Sequence, residues 1–362
     1  MTDLPQRIKA FHQLGQFLRM LIDHQMKPLN PQELAQWHTP VEEVQEIQGQ
    51  LLDYYEHAHH YNPWFTQEFI RLALEDWSQA LSSCKLEEWT QPYQFTEKQK
   101  FKRVGVVMAG NLPLVGFHDY LSVLISGHQL IAKLSSDVSH LLPLLNQLLA
   151  LKAPDLAKQA EFTKDQLKNF DAVIATGSNN TARYFEYYFG KYPHIIRKNR
   201  NGIAIITGQE SLTELKELAK DVMSYFGLGC RSVSKIYLPR DYNFKPLLEA
   251  FNDFSHFQYH SKYYNNYEYN KAIFLVNKVM HRDNGFLLLR EETSFSSSIS
   301  VLHYENYESL EQLHQELKIR KDEIQCIIGD SEEYFNFGEG QHPALNDYAD
   351  GVDTLKFLNE LV

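Results

Sequence analysis

From Arg103 onward, short β-branched runs alternate with helical stretches, and this constrains the chain more than any other feature. Val104 to Ala109 is a strand-like run ended by Gly110-Asn111 and followed by an amphipathic stretch containing Tyr120 to Ile125. Gln129 to Leu134 gives a second strand and Leu141 to Leu151 a second helix. Asp171 to Thr176 gives a third strand, followed at once by Gly177-Ser178, a helix through Tyr184 to Phe189, and a strand at Gly202 to Ile206. Strands separated by single helices cannot pair as hairpins, so the pattern predicts a parallel, doubly wound sheet. A second α/β stretch runs from Leu212 to about Ile328, with strands expected at Ser234–Leu238, Ala272–Val276, Ser298–Leu302 and Gln325–Ile328. Within it the tyrosine-rich segment His256–Tyr269 reads as a surface excursion. Ahead of all this, Leu4 to Cys84 carries apolar residues at helical spacing, broken at Asn30-Pro31 and Asn62-Pro63. Thr66 reads as the cap of a helix with Trp77 on its apolar side.

Composition excludes several function classes. The 46 acidic and 35 basic residues leave a net charge of −11, which repels a phosphate backbone, so nucleic acid is not an expected partner. The most apolar stretch, Val104–Leu134, is interrupted by Asn111, Pro113, His118, Asp119, His128 and Lys133. No uncharged run reaches the roughly 18–20 residues of a membrane span. The amino terminus has no secretory or transit character, and three widely spaced cysteines with no C-x-x-C pair suggest neither disulfides nor zinc. A reducing cytoplasm is therefore expected. His57-Ala58-His59-His60 reads as a solvated helical face, and no metal site is expected.

Two local patterns can carry chemistry. Gly177-Ser178-Asn179-Asn180 stands where a strand gives way to a helix, and there free N–H groups and the helix dipole can hold a phosphate. It is not the full G-x-G-x-x-G fingerprint. Cys230 lies in Phe226-Gly227-Leu228-Gly229-Cys230-Arg231-Ser232, between a helix and a strand. The two glycines allow close backbone approach, and Arg231 favours the thiolate. Cys84 and Cys326 read as packing residues.

In this order the pieces resemble the aldehyde dehydrogenase superfamily over about residues 100 to 362. The closest likeness is to its acyl-CoA reductase branch, typified by the fatty acyl reductases of bacterial luminescence. The likeness rests on Gly110-Asn111-Leu112-Pro113 with Val115-Gly116-Phe117-His118-Asp119, on Ile131-Ala132-Lys133-Leu134-Ser135-Ser136, and on Thr176-Gly177-Ser178. Gly229-Cys230, Gly340-Gln341-His342-Pro343 and Asp347–Thr354 complete it. It implies a helical region at 1–95 packed on a Rossmann-type NADP-binding domain at 96–208, and an α/β catalytic domain at 209–335. A segment at 336–362 then returns to the cofactor domain or to a subunit interface. Assembly into a homo-oligomer is also implied, with the polar segment Trp89–Phe101 as the candidate arm.

The resemblance further implies that Cys230 is the nucleophile and Asn111 the side-chain donor of the oxyanion hole. Lys133 and Ser135 would lie at the adenosine ribose and Gly177 and Ser178 at the pyrophosphate. Glu292 would match a glutamate that contacts the nicotinamide ribose. Ser136 replaces the acid that NAD-preferring relatives often carry, which favours NADPH. The hydrolytic dehydrogenases use a glutamate to activate water against the acyl-enzyme. The corresponding run Arg197-Lys198-Asn199-Arg200-Asn201-Gly202 has no carboxylate, which suits reduction of an acyl thioester. The implied donor is acyl-CoA, or an acyl group passed from a carrier protein or partner acyl-synthetase. The competing readings are a cysteine acyltransferase or thioesterase without hydride transfer, and a non-catalytic scaffold.

Overall fold

The computed structural model describes residues 2–95, 101–135 and 140–361. The chain forms two compact units, one comprising residues up to Lys198 together with those from Ala344, the other Asn199–Pro343. The division therefore falls at 198 and 344 rather than at 208 and 335.

In the first unit five strands, β1 (Arg103–Val107), β2 (Gln129–Lys133), β3 (Ala160–Thr163), β4 (Ala172–Thr176) and β5 (His194–Arg197), form a sheet in the order β3-β2-β1-β4-β5. All of its pairings are parallel. Right-handed crossovers place the helices Phe117–Ile125 and Leu141–Lys152 on one face and Asn179–Phe189 on the other. Phe117–Ile125 is apolar nearly all round and buried along its length, because the helices of residues 4–90 cover its outer side. That covering starts with helix Leu4–Asp23, capped reciprocally by Asp3 and Gln6, whose Phe11, Leu14, Phe17 and Leu18 point into the shared core. Gly15 lets this helix approach its neighbour closely, since a Cβ there would lie 2.7 Å from Leu81 Cβ. Thr66 caps helix Gln67–Ala80 through Phe69 N–H, and Trp77 packs against Phe117 with ring centroids 4.4 Å apart.

In the second unit the strands are β6 (Asn201–Ile205), β7 (Val233–Pro239), β8 (His281–Asp283), β9 (Leu288–Glu291), β10 (Val301–Tyr307) and β11 (Ile324–Ile328). They run in the order β11-β6-β7-β10-β9-β8, parallel except for the β8–β9 edge. Three expectations are corrected here. The strand at 201–205, read as part of the cofactor sheet, pairs with β7 and β11 instead, and strand propensity carries no information about which sheet a strand joins. Ala272–Val276, read as a strand, is the last turn and a half of helix Ser261–Val276, a short apolar run that periodicity alone cannot assign. The segment His256–Tyr269 is also no surface excursion. Phe257, Tyr263 and Tyr267 are fully buried while Tyr259 and Tyr269 are exposed, so helical spacing supplied a core face built from aromatics rather than aliphatics. Of the candidate arm Trp89–Phe101, residues 96–100 lie outside the described residues and 89–95 belong to the first unit. Trp89 Nε1 donates to Tyr348 Oη at 2.9 Å and Tyr93 Oη donates to Asp353 at 2.8 Å, tying this stretch to the carboxy-terminal segment.

Candidate functional site

The sequence-derived residues fall on both units, and each group has its own geometry. In the first unit the strand register sets Val107 beside both Lys133 and Ala175. The loops that follow β1, β2 and β4 therefore leave from one edge of the sheet, at the point where strand order reverses. In doubly wound sheets that is where ligands bind. Asn111, Lys133, Ser135, Gly177 and Ser178 are all brought to this edge, whereas Ser136 lies outside the described residues.

Each of these positions has a local cause. Gly177 is tightly enclosed, and a Cβ there would lie 3.0 Å from both Phe185 Cε2 and Thr181 Cβ. Ser178 caps helix Asn179–Phe189 by accepting Thr181 N–H at 3.3 Å, and the first turn of that helix holds no acid, so its positive end stays uncompensated. Lys133 is the last residue of β2 and half-buried, and its carbonyl receives Met108 N–H at 3.1 Å. The Asn111 loop is pinned by Asn62, a buried residue of the helical region that the sequence showed only as a break. Its Nδ2 donates to Gly110 O at 3.4 Å. Gly116 permits the loop to fold back on β1, since a Cβ there would meet Met108 Sδ at 2.5 Å. Just beyond the loop, Asp119 accepts from Arg197 Nη1 at 2.7 Å, both nearly inaccessible, and Arg197 also donates to Thr354 Oγ1 at 3.0 Å. This buried pair joins the loop helix, the end of β5 and the carboxy-terminal segment.

In the second unit Cys230 is exposed in the turn between helix Leu212–Met223 and β7. The approach to it is unusual. Tyr225 (φ 54°, ψ 29°), Phe226 (φ 57°, ψ 24°) and Gly227 (φ 73°) are successive left-handed residues. Each non-glycine residue there costs roughly 1–2 kcal/mol, so the surroundings must over-determine the turn. Part of that comes from the tyrosine-rich segment, because the Phe226 ring packs on Phe257 at 4.6 Å and Tyr263 at 5.6 Å. Part comes from Asp221 on the preceding helix, which sequence reasoning missed. It is fully buried, and its carboxylate accepts Gly338 N–H at 2.7 Å and Gly340 N–H at 2.9 Å. Burial pushes this carboxyl up to about 7, against the two N–H bonds that favour its charged form.

Glu292 follows β9 at the carboxyl edge of the second sheet. β7, β10 and β9 are parallel, and Glu292 N–H bonds Tyr304, which is level with Ile236. Glu292 thus stands beyond the carboxyl end of β9, at least about 13 Å along the strand direction from the start of β7, before which Cys230 lies. Its carboxylate accepts Thr293 N–H at 2.9 Å, which, with the nearby Arg290 guanidinium, holds it below the usual carboxylate range. The segment entering β10, Ser298–Ser300, is the one on Cys230's edge of the sheet, because Val301 of β10 is level with Val233 of β7 in the ladder that pairs His303 with Lys235. Among the described residues no cluster of His, Cys, Asp and Glu could hold a metal, and no helix is long and apolar enough to cross a membrane.

A five-stranded doubly wound unit under a helical cover, with a second, mostly parallel α/β unit carrying a thiol turn, is an aldehyde-dehydrogenase-like fold. The chain matches the NAD+ complex of an aldehyde dehydrogenase from Bacillus cereus with a TM-score of 0.59 and 12% identity, covering 99% of this chain and 83% of that one. It matches an indole-3-acetaldehyde dehydrogenase from P. syringae, in complex with NAD+, with a TM-score of 0.58 and 12% identity, covering 91% and 72%. An aldehyde dehydrogenase from Physcomitrella patens in complex with the reaction product succinate gives 0.52 and 14% identity, covering 91% and 74%. At such identities the likeness is one of fold. No family model and no curated protein matches the chain in sequence.

Proposed function

We propose that the protein reduces an acyl thioester to an aldehyde with NADPH, carrying the acyl group on Cys230. The observation that carries the reading is the convergence of the Asn111, Lys133 and Gly177-Ser178 loops on one sheet edge of a unit whose fold is that of NAD-binding dehydrogenases. The residues fit a dinucleotide. The enclosed Gly177 and the acid-free helix start behind Ser178 suit a pyrophosphate, and Lys133 with Ser135 offers a cation and a hydroxyl to a phosphorylated ribose. Bound NADPH supplies hydride.

The chain's own part is nucleophilic. The Cys230 thiolate attacks the thioester carbonyl carbon, forming a C–S bond, and the donor thiol leaves with the electron pair of the broken bond. A side-chain amide donor to the carbonyl oxygen, the role the resemblance gives Asn111, is worth roughly 3–4 kcal/mol in the transition state. After reduction the thiohemiacetal collapses, the C–S bond breaks and the thiolate returns. The run 197–202 carries no carboxylate to activate water, and its Arg197 is engaged with Asp119, which supports reduction over hydrolysis. Acyl-CoA is the proposed donor.

A series of acyl-CoAs of graded length, with NADPH absorbance and free aldehyde followed together, tests the reading. Aldehyde should appear in step with NADPH loss. Cys230→Ser should lower turnover by roughly 10³-fold or more while NADPH still binds, because a hydroxyl without a strong base is a poor nucleophile. Hydrolysis of acyl-CoA with no NADPH consumed would replace the reductase with a thioesterase.

A further inference from the structure

The turn that carries Cys230 is tied on both sides to one short segment, residues 338–341, that is more than a hundred positions away in sequence. On the side before the thiol, the Asp221 carboxylate accepts Gly338 N–H at 2.7 Å and Gly340 N–H at 2.9 Å, and the Asp221 carbonyl accepts from Gln341 Nε2 at 3.3 Å. On the side after it, Arg231 Nε donates to Gly340 O at 2.6 Å and Gln341 Nε2 donates to Ser232 Oγ at 3.3 Å. Ser232 Oγ in turn accepts Gly229 N–H at 3.2 Å, closing the turn around Cys230. The segment fits closely, since a Cβ on Gly340 would lie 2.9 Å from both Asp221 Oδ1 and Ile328 Cδ1. Arg231 is clamped further by the Phe335 ring, 4.6 Å from its guanidinium carbon, and its carbonyl accepts from Cys326 Sγ at 3.6 Å.

We infer that Asp221, Arg231 and Gln341 are positioning residues for Cys230, acting through the 338–341 segment, which latches the strained turn into the one conformation that presents the thiol for acyl transfer. The inference rests on the reading of Cys230 as the nucleophile. Helix packing alone does not require this arrangement. A buried carboxylate that accepts the Gly338 and Gly340 N–H groups, together with a buried guanidinium donating to the Gly340 carbonyl, holds this backbone from both its N–H and its C=O side. The left-handed residues Tyr225 and Phe226 then have a purpose, because a relaxed turn would carry Cys230 away from where the latch holds it.

The test is the ratio of iodoacetamide alkylation rates at Cys230 and at exposed Cys84, read peptide by peptide on the full-length protein. Asp221→Asn, Gln341→Ala and Arg231→Lys would each be compared with wild type, alongside melting temperature and NADPH binding. In wild type the ratio should exceed about tenfold, and it should fall at least threefold in Asp221→Asn and Arg231→Lys, less in Gln341→Ala, with NADPH affinity unchanged. In the acyl-CoA assay the same variants should lose kcat while the KM for acyl donor holds. A merely structural role would lower the melting temperature and leave the ratio alone. A wild-type ratio well above one that persists in folded Asp221→Asn and Arg231→Lys overturns the latch and leaves the nucleophile standing. A wild-type ratio near one overturns both. If Asp221→Asn fails to fold, Gln341→Ala and Arg231→Lys decide by the same ratio.

Discussion

The two units build their candidate sites by different means. In the first, regular structure suffices: parallel strands in simple register end together, and the loops leaving them carry Asn111, Lys133 and Gly177-Ser178 to one edge. In the second, the turn around Cys230 departs from regular structure, with consecutive left-handed residues held by distant aromatic rings and by the 338–341 segment. A site made by strand register is robust to side-chain change away from the loops. A site made by a strained turn depends on every contact that opposes the strain.

The largest effect expected in the first unit comes from attacking its frame. Asp119→Ala leaves Arg197 buried without its carboxylate, and equilibrium denaturation should show a loss of about 3–5 kcal/mol. A loss below about 1 kcal/mol would mean the pair merely occupies space, and the first unit would be less dependent on its buried polar joint than the second is on its latch. Next comes Asn111→Ala, which removes a donor but not the loop, since Gly110 remains held by Asn62. Turnover should fall by roughly 10²–10³ with little change in NADPH affinity or stability, measured by steady-state kinetics and cofactor titration. A rise confined to KM would make Asn111 a uniform binding contact instead. Smallest is Lys133→Ala, at a half-buried strand end where solvent screens the charge. NADPH affinity should drop about tenfold and NADH affinity much less, read by fluorescence titration of both cofactors. Equal losses for the two would take the phosphorylated ribose away from β2.

How far the sequence could be read follows the same contrast. In the first unit the ends of β1, β2 and β4 were legible because β-branched runs stop at glycine or polar turns, so Gly177-Ser178 and Gly110-Asn111 could be placed without coordinates, whereas β3 and β5, four residues each, were not read as strands. In the second unit, short apolar runs misled. Ala272–Val276 read as a strand and is helical, and the tyrosines at 263 and 267 looked solvated because aliphatics mark a core more plainly than aromatics do. Asp221 gave no signal at all, since one acid in an amphipathic helix normally faces water.

By itself the sequence determined the class of fold, the helical preface with its Thr66 cap, the absence of a long uncharged apolar run, and the loops that could carry chemistry. All of these are properties of neighbouring residues, set by backbone preference and side-chain periodicity. The tertiary structure alone decided which sheet the strand at 201–205 joins, that Glu292 stands at the carboxyl end of β9, that Asn62 holds Gly110, and that Asp221 holds Gly338 and Gly340. Those outcomes depend on which distant groups satisfy one another's buried hydrogen bonds. That accounting closes only when the whole chain has packed.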